Sequence, residues 1–191
     1  MTPVSRYHPL LVLLHWTVAA LVIAALALGA LVMVKIPNSD PMKIEALRSH
    51  MIGGMLILAL MLARLVVRLR TPHPPAASAG HPLLDRIAWG SHRLLYVAAL
   101  AMPASGLILA LQSRLPWIVF GGGRMPADFW AYSFRAVHYA FSRMLIVLIA
   151  LHIAGALYHT LLLRDGLLRR MLFGRRVIAA SDTKPAAEAR P

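Results

Sequence analysis

Four of the nine histidines, His15, His50, His138 and His152, lie inside or at the head of apolar stretches long enough to cross a membrane. An ionisable side chain in a bilayer is costly, so each is a functional-site hypothesis by default. Imidazole either relays protons or ligates a metal. His138 and His152 share one stretch. On a helix rising about 1.5 Å and turning about 100° per residue, they stand roughly 21 Å apart and within roughly 40° in azimuth. They therefore face the same way, one near each membrane surface. Successive spans run in opposite directions, which puts His50 level with His138 and His15 level with His152. Two level-matched imidazole pairs point to an iron porphyrin held edge-on between helices, once at each level.

Other readings of the same residues are plainer. Each histidine alone suits a helix-packing role, bonded to a neighbouring carbonyl or hydroxyl. A carboxylate-bridged di-iron bundle needs glutamates inside the helices. All seven acidic residues (Asp40, Glu45, Asp85, Asp128, Asp165, Asp182, Glu188) fall in loops, span ends or the tail. The absence of cysteine excludes disulfides, iron–sulfur clusters, zinc–thiolate sites and thioether-linked haem. Any haem is held non-covalently.

The elements that must carry these residues follow from composition. Of 191 residues, 59% are hydrophobic, and the mean hydropathy is +0.68. A soluble domain of this size cannot hide that much apolar surface. Four transmembrane helices are predicted, over about Leu10–Val34, His50–Leu69, Leu94–Leu111 and Val137–Leu163. The second has a possible earlier start near Lys43, and Trp89 and His92 stand at the entrance of the third. Pro37, Asn38, Asp40 and Pro41 break the chain after the first span. Thr71-Pro-His-Pro-Pro75 ends the second, and Pro116 with Gly121-Gly-Gly-Arg-Met-Pro126 marks a loop before the fourth. The fold class is an all-α membrane protein, a four-transmembrane-helix bundle over residues 1–173. The polar, Ala/Pro-rich residues 174–191 are expected to form a disordered tail.

The net charge of +13 does not indicate nucleic acid, because the basic residues flank the apolar runs and no RNA-binding motif accompanies them. Thirteen Lys and Arg fall on the side of the termini and six on the other. The positive-inside rule then predicts cytoplasmic N- and C-termini. The first span is too long for the core of a signal peptide, and a histidine there would be odd, so it is read as retained. The residue four places after each paired histidine is small: Ala19, Gly54, Ser142 and Ala156. A flat macrocycle on that helix face needs such room.

Taken in order, these features resemble the bacterial cytochrome b561 family of four-helix, di-haem proteins of the inner (plasma) membrane. The resemblance runs from about Ser5 to Arg170. It is carried by Leu14-His15-Trp16, His50-Met-Ile-Gly-Gly54, and Arg64-Leu-Val-Val-Arg68-Leu-Arg70-Thr-Pro72. Further along come Ser91-His92-Arg93-Leu-Leu-Tyr96, Met102-Pro103-Ala-Ser-Gly106, Pro116-Trp117-Ile-Val-Phe120-Gly121, His138, and His152-Ile-Ala-Gly-Ala-Leu-Tyr-His159. His8-Pro9 departs from the family, where a polar residue such as Gln is more usual. The resemblance implies two haem b groups with iron ligands at His15, His50, His138 and His152.

It further implies electron transfer between a periplasmic donor and the ubiquinone pool. Some members are similar to superoxide oxidases. Arg6, Arg64, Arg68, Arg93 and Arg143 are candidates to pair with haem propionates, and Gly54 to make room for the ring. His92 and His159, near the cytoplasmic surface, suit a proton relay or a donor to a quinone carbonyl. Lys35, Lys43, Arg48, Arg124 and Arg135 form a cationic outer face able to steer a small anion or an acidic carrier. Trp16, Trp89, Trp117, Trp130, Tyr132 and Tyr158 suit interfacial belts. The alternative function is a cytochrome b anchor subunit that docks a hydrogenase- or dehydrogenase-type partner. A transporter needs broken helices or a repeat, and beyond Pro103 neither is present.

Overall fold

The computed structural model describes residues 4–178. Three long helices begin in the same way, with a capping side chain followed by proline at the first helical position, where a missing N–H costs nothing. Helix α1 (Pro9–Ala27) is capped by His8, whose Nδ1 accepts from the Leu10 N–H at 3.2 Å. The departure from the family at His8 is thus a cap. Helix α2 (Pro41–Arg70) is capped by Asp40, which accepts from the Met42 N–H at 2.9 Å. Helix α3 (Pro82–Gln112) is capped by His81, which accepts from the Leu83 N–H at 3.2 Å. Helix α1 continues through a π turn at Leu28–Val32 and a 3₁₀ turn at Met33–Lys35. A short α4 (Leu115–Gly121) lies between residues of positive φ, Arg114 at 53° and Gly122 at 81°. Helix α5 (Ser133–Leu157) widens into a π turn at Tyr158–Leu163 and stops at Arg164, φ 50°.

The helices outrun the apolar stretches. Helix α2 starts at Pro41, so this proline opens the helix that it was expected to precede. Helix α3 starts at Pro82, well before Leu94, and Trp89 and His92 stand inside it. Their polar neighbours Asp85, Arg86 and Arg93 interrupt the hydropathy without interrupting the helix. Leu115–Gly121, read as loop, is helical with Pro116 in its first turn.

Among the described residues all regular structure is helical, and four helices are long and apolar enough to cross a membrane. Only 11–28% of the most apolar window of each is buried inside the bundle. Most of their apolar side chains therefore face outward, which water would not tolerate and lipid does. The central core takes two residues from each long helix: Val18 and Val22, Ile57 and Met61, Ala98 and Ala99, Leu145 and Leu148. Helix α1 packs on α2, α2 on α3, and α3 extensively on α5. Neither α1 nor α2 packs closely against α5.

Residues 5–8 and 167–178 meet at one end of the bundle, called here the terminal end. Val177 bonds to Ser5 in both directions, its N–H to Oγ at 2.9 Å and its carbonyl to N–H at 3.2 Å. Arg6 donates to the Leu172 and Phe173 carbonyls, and Trp16 donates from Nε1 to the Met171 carbonyl at 2.8 Å. Of the tail expected to be disordered, residues 174–178 are described, and Arg176 there donates to the Arg6 and Pro72 carbonyls. The rest of that tail, residues 179–191, lies outside the described residues.

At the opposite, distal end, Lys43 is only 8% exposed and donates to the Met33 carbonyl at 2.5 Å and the Ile36 carbonyl at 2.9 Å. It thereby satisfies carbonyls that the unwinding end of α1 leaves without helical partners. Arg48 ties α2 to α4 through the Val119 carbonyl and pairs with Glu45 at 2.6 Å.

Candidate functional site

At the distal level, His50 on α2 and His138 on α5 have ring centroids 6.1 Å apart with planes at 86°. The ring of His138 is fixed by α3. Its Nδ1 lies 3.1 Å from the Met102 carbonyl and 3.1 Å from Ser105 Oγ. A carbonyl only accepts, so Nδ1 carries the proton and Nε2 keeps a lone pair. Gly106 completes this cradle. A Cβ there would stand 2.9 Å from His138 Cε1, too close to tolerate. On the other side, a Cβ on Gly29 would sit 3.5 Å from His50 Cε1. His50 Nδ1 is buried without a hydrogen-bond partner. An apolar cavity touches both rings and is lined in part by Ala25, Gly54, Ile57, Met102 and Pro103. Gly54 faces open space, with nothing within 4 Å of an added Cβ.

At the terminal level, His15 on α1 and His152 on α5 have centroids 6.2 Å apart at 68°. His92 on α3 is a third imidazole here, 5.2 Å from His152. Its Nδ1 meets the Ala88 carbonyl at 2.6 Å, as donor. Arg64 Nη2 donates to His15 Nδ1 at 3.3 Å, and its guanidinium lies over the Tyr96 ring at 4.7 Å. Arg68 covers the same ring at 5.7 Å. Arg64 Nε and the Tyr96 hydroxyl are both buried without partners. Neither of the two ion pairs among the described residues involves Arg64 or Arg68.

The remaining site candidates disperse. His159, 8% exposed, bonds through Nδ1 to Asp165 Oδ2 at 2.6 Å. That hydrogen bond is the main cause holding the Asp165 carboxyl below its ordinary range. Arg143 stacks on Tyr139 at 4.9 Å on the exposed side of α5, Arg93 on Trp89 at 3.3 Å, and Arg6 serves the C-terminal carbonyls. Among the described residues no three or more His, Asp or Glu side chains cluster tightly enough to hold a bare metal ion.

A family model described as prokaryotic cytochrome b561 matches residues 6–174. The chain belongs to the prokaryotic cytochrome b561 family. Among curated proteins it is similar to a probable superoxide oxidase CybB of Yersinia pestis, at 30% identity over 88% of this chain and 96% of the relative. It is also similar to cytochrome b561 homolog 2 of Escherichia coli (28%, covering 88% and 92%) and to cytochrome b562 of Cereibacter sphaeroides (27%, covering 90% and 98%). Family membership makes it a bacterial multi-pass membrane cytochrome of electron transport, and a cytochrome b implies haem b.

The residues of this cytochrome fit that group. Two imidazoles sharing one metal through facing nitrogens, at about 2 Å each, have ring centres about 6 Å apart. Both level-matched pairs meet this spacing, and the 5.2 Å of His92 and His152 falls short. Each pair also bridges a seam where α5 does not pack closely on its partner helix. The histidine spacing did not disclose Ser105, Gly106, Gly29, Tyr96 or Asp165. The Met102–Gly106 motif already contained three parts of the His138 cradle.

Proposed function

We propose that this cytochrome holds two haem b groups, one between His15 and His152 and one between His50 and His138. It carries electrons from a donor at the distal end to ubiquinone. The two imidazole pairs with centroids near 6 Å support this reading above all else. When bound, each haem would be held by the two imidazoles of its pair and would supply a one-electron iron couple. Two imidazoles on each haem would suit it to electron transfer rather than to oxygen binding. The Met102 carbonyl and Ser105 hydroxyl hold His138 in the tautomer that presents Nε2. Arg64 and Arg68 offer positive charge to propionates at the terminal level, and Arg143 offers it from the exposed side of α5, nearer the distal level. Gly54 leaves the flat ring its space.

The termini are assigned to the cytoplasm by the charge asymmetry, which puts the distal end on the periplasmic side. There Lys35, Arg48, Arg124 and Arg135 form a cationic approach for a small anionic donor. The similarity to a protein named as a probable superoxide oxidase makes superoxide the first candidate. At the terminal end His159, held by Asp165 through Nδ1, keeps Nε2 to serve a quinone oxygen, and His92 stands beside His152.

A reduced-minus-oxidised visible spectrum of the purified protein, with haem counted per chain, tests the reading. Low-spin b-type bands and two haems per chain are expected, together with quinone reduction by superoxide in the isolated protein. One haem per chain breaks a pair. Two haems without either exchange indicate an anchor subunit for a partner enzyme.

A further inference from the structure

The surroundings of the two imidazole pairs differ in charge, and the difference has a direction. At the distal pair, His138 gives its Nδ1–H to a neutral carbonyl at 3.1 Å, with a neutral hydroxyl at the same distance. Such donation makes the imidazole a stronger electron donor to a metal on Nε2 and favours the oxidised centre. The positive groups around it are turned elsewhere: Arg135 lies over Trp130 at 4.6 Å, the exposed Arg143 over Tyr139 at 4.9 Å, and Arg48 is paired with Glu45 at 2.6 Å. At the terminal pair, Arg64 reaches His15 Nδ1 at 3.3 Å and stacks over Tyr96 at 4.7 Å, with Arg68 on the same ring. Neither arginine belongs to an ion pair among the described residues. A positive charge in a low-dielectric interior favours whichever redox state carries less positive charge, which is the reduced one.

Arg64 has only donors, so it addresses a lone pair on His15 Nδ1. Ligation through Nε2 puts a proton on Nδ1 and turns that donor aside. The stack on Tyr96 still keeps the guanidinium charge beside the ring. Each haem brings the same two propionates, so these do not distinguish the levels, whereas the protein's own charges do.

Resting on the two-haem reading above, we infer that Arg64 sets the His15/His152 centre at a higher reduction potential than the His50/His138 centre. Electrons then run downhill from the distal to the terminal end. In that step one electron leaves the distal centre, which is oxidised, and arrives at the terminal centre, which is reduced. No bond or proton need change.

The test is a spectroscopic redox titration of the full-length haem-loaded protein, with His50→Ala used to assign the two waves. The expected result is two waves, the lower of which disappears in His50→Ala. Arg64→Gln should lower the upper wave alone, by at least the tenfold change in reduced-to-oxidised ratio that corresponds to about 59 mV for one electron. Arg64→Lys, which keeps the charge, should hold the upper wave closer to its original position. If Arg64→Gln fails to bind haem at that level, Arg68→Gln should give a smaller shift of the same sign. Loss of the upper wave in His50→Ala overturns the inference. So does an upper wave that neither arginine substitution moves. Both leave the two-haem reading standing. One haem or none per wild-type chain overturns that reading, and this inference with it.

Discussion

Gly106 faces His138 so closely that a Cβ on the glycine would stand 2.9 Å from Cε1 of the ring. The imidazole cannot retreat freely, because its Nδ1 is bonded to Met102 and Ser105 on the same helix. Gly106→Ala should therefore push the ring off its bonds at a cost of about 1–3 kcal/mol, the usual range for overpacking. Haem at the distal level should fall while the terminal level is retained. Haem per chain and the residual band shape report both effects. Full haem content with an unchanged spectrum would mean that the cradle does not position His138.

Alanine at His15 or His152 should remove one haem of the two, and alanine at His50 or His138 the other. The two variants of a pair should give the same residual spectrum, and variants of different pairs should give different ones. His92→Ala should keep both haems, because its ring lies too near that of His152 to share a metal with it. A pyridine haemochrome assay against protein concentration counts them. Loss of haem in His92→Ala would redraw the terminal pair.

The contact between His159 and Asp165 should depend on pH in one sense only. The Asp165 carboxyl is held below its ordinary value of 3.8, mainly by the His159 hydrogen bond. A depressed acid contributes stability above its unfolded pKa and loses it as pH falls through the lower folded value. Asp165→Asn should thus lower the unfolding midpoint at neutral pH, and the difference from wild type should fade below about pH 4. His159→Ala should leave haem content intact and slow quinone reduction. Unchanged quinone kinetics in that variant would remove His159 from the proposed site.

Lys43→Met should loosen the distal end of α1. The ammonium of Lys43 serves the Met33 and Ile36 carbonyls, and methionine fills similar volume without a donor. Leaving a buried carbonyl unsatisfied costs about 1–3 kcal/mol. Thermal unfolding in detergent should show the loss, and hydrogen exchange should rise first over residues 33–36. An unchanged midpoint would mean that water replaces the lysine.

What could be read without coordinates was whatever depends on helix rise and hydropathy. Grouping the histidines by height needs only the positions of residues 138 and 152 and the alternation of span direction. Helix ends were harder. Helix α3 extends back to Pro82 because His81 and Pro82 form a start signal, while Asp85, Arg86 and Arg93 keep that stretch polar. The two features point to different boundaries, and the cap decides. Helix α4 was hidden because Pro116 reads as a breaker in a loop but opens a helix when it falls in the first turn. Gly106 against His138, Arg64 against His15 and Tyr96 against both arginines depend on how helices face one another. Periodicity within one helix does not report such relations. Asp165 lies just beyond the span, where a carboxylate looks like an ordinary end-of-helix residue until the π turn brings it to His159.

Helix α5 brings its backbone close to that of α3, whereas α1 and α2 reach it through side chains in the shared core and at the histidine pairs. This ties the placement of both histidine levels to one helix pair. Ala98 and Ala99 of α3 share the buried core with Leu145 and Leu148 of α5, and their small side chains let the two backbones approach. The docking of α5 on α3 thus carries both His138 and His152 to the seams with α2 and α1. The small residues at positions 98 and 99 therefore set how closely that docking occurs. A bulky substitution there would misplace both levels of histidine together, without touching either.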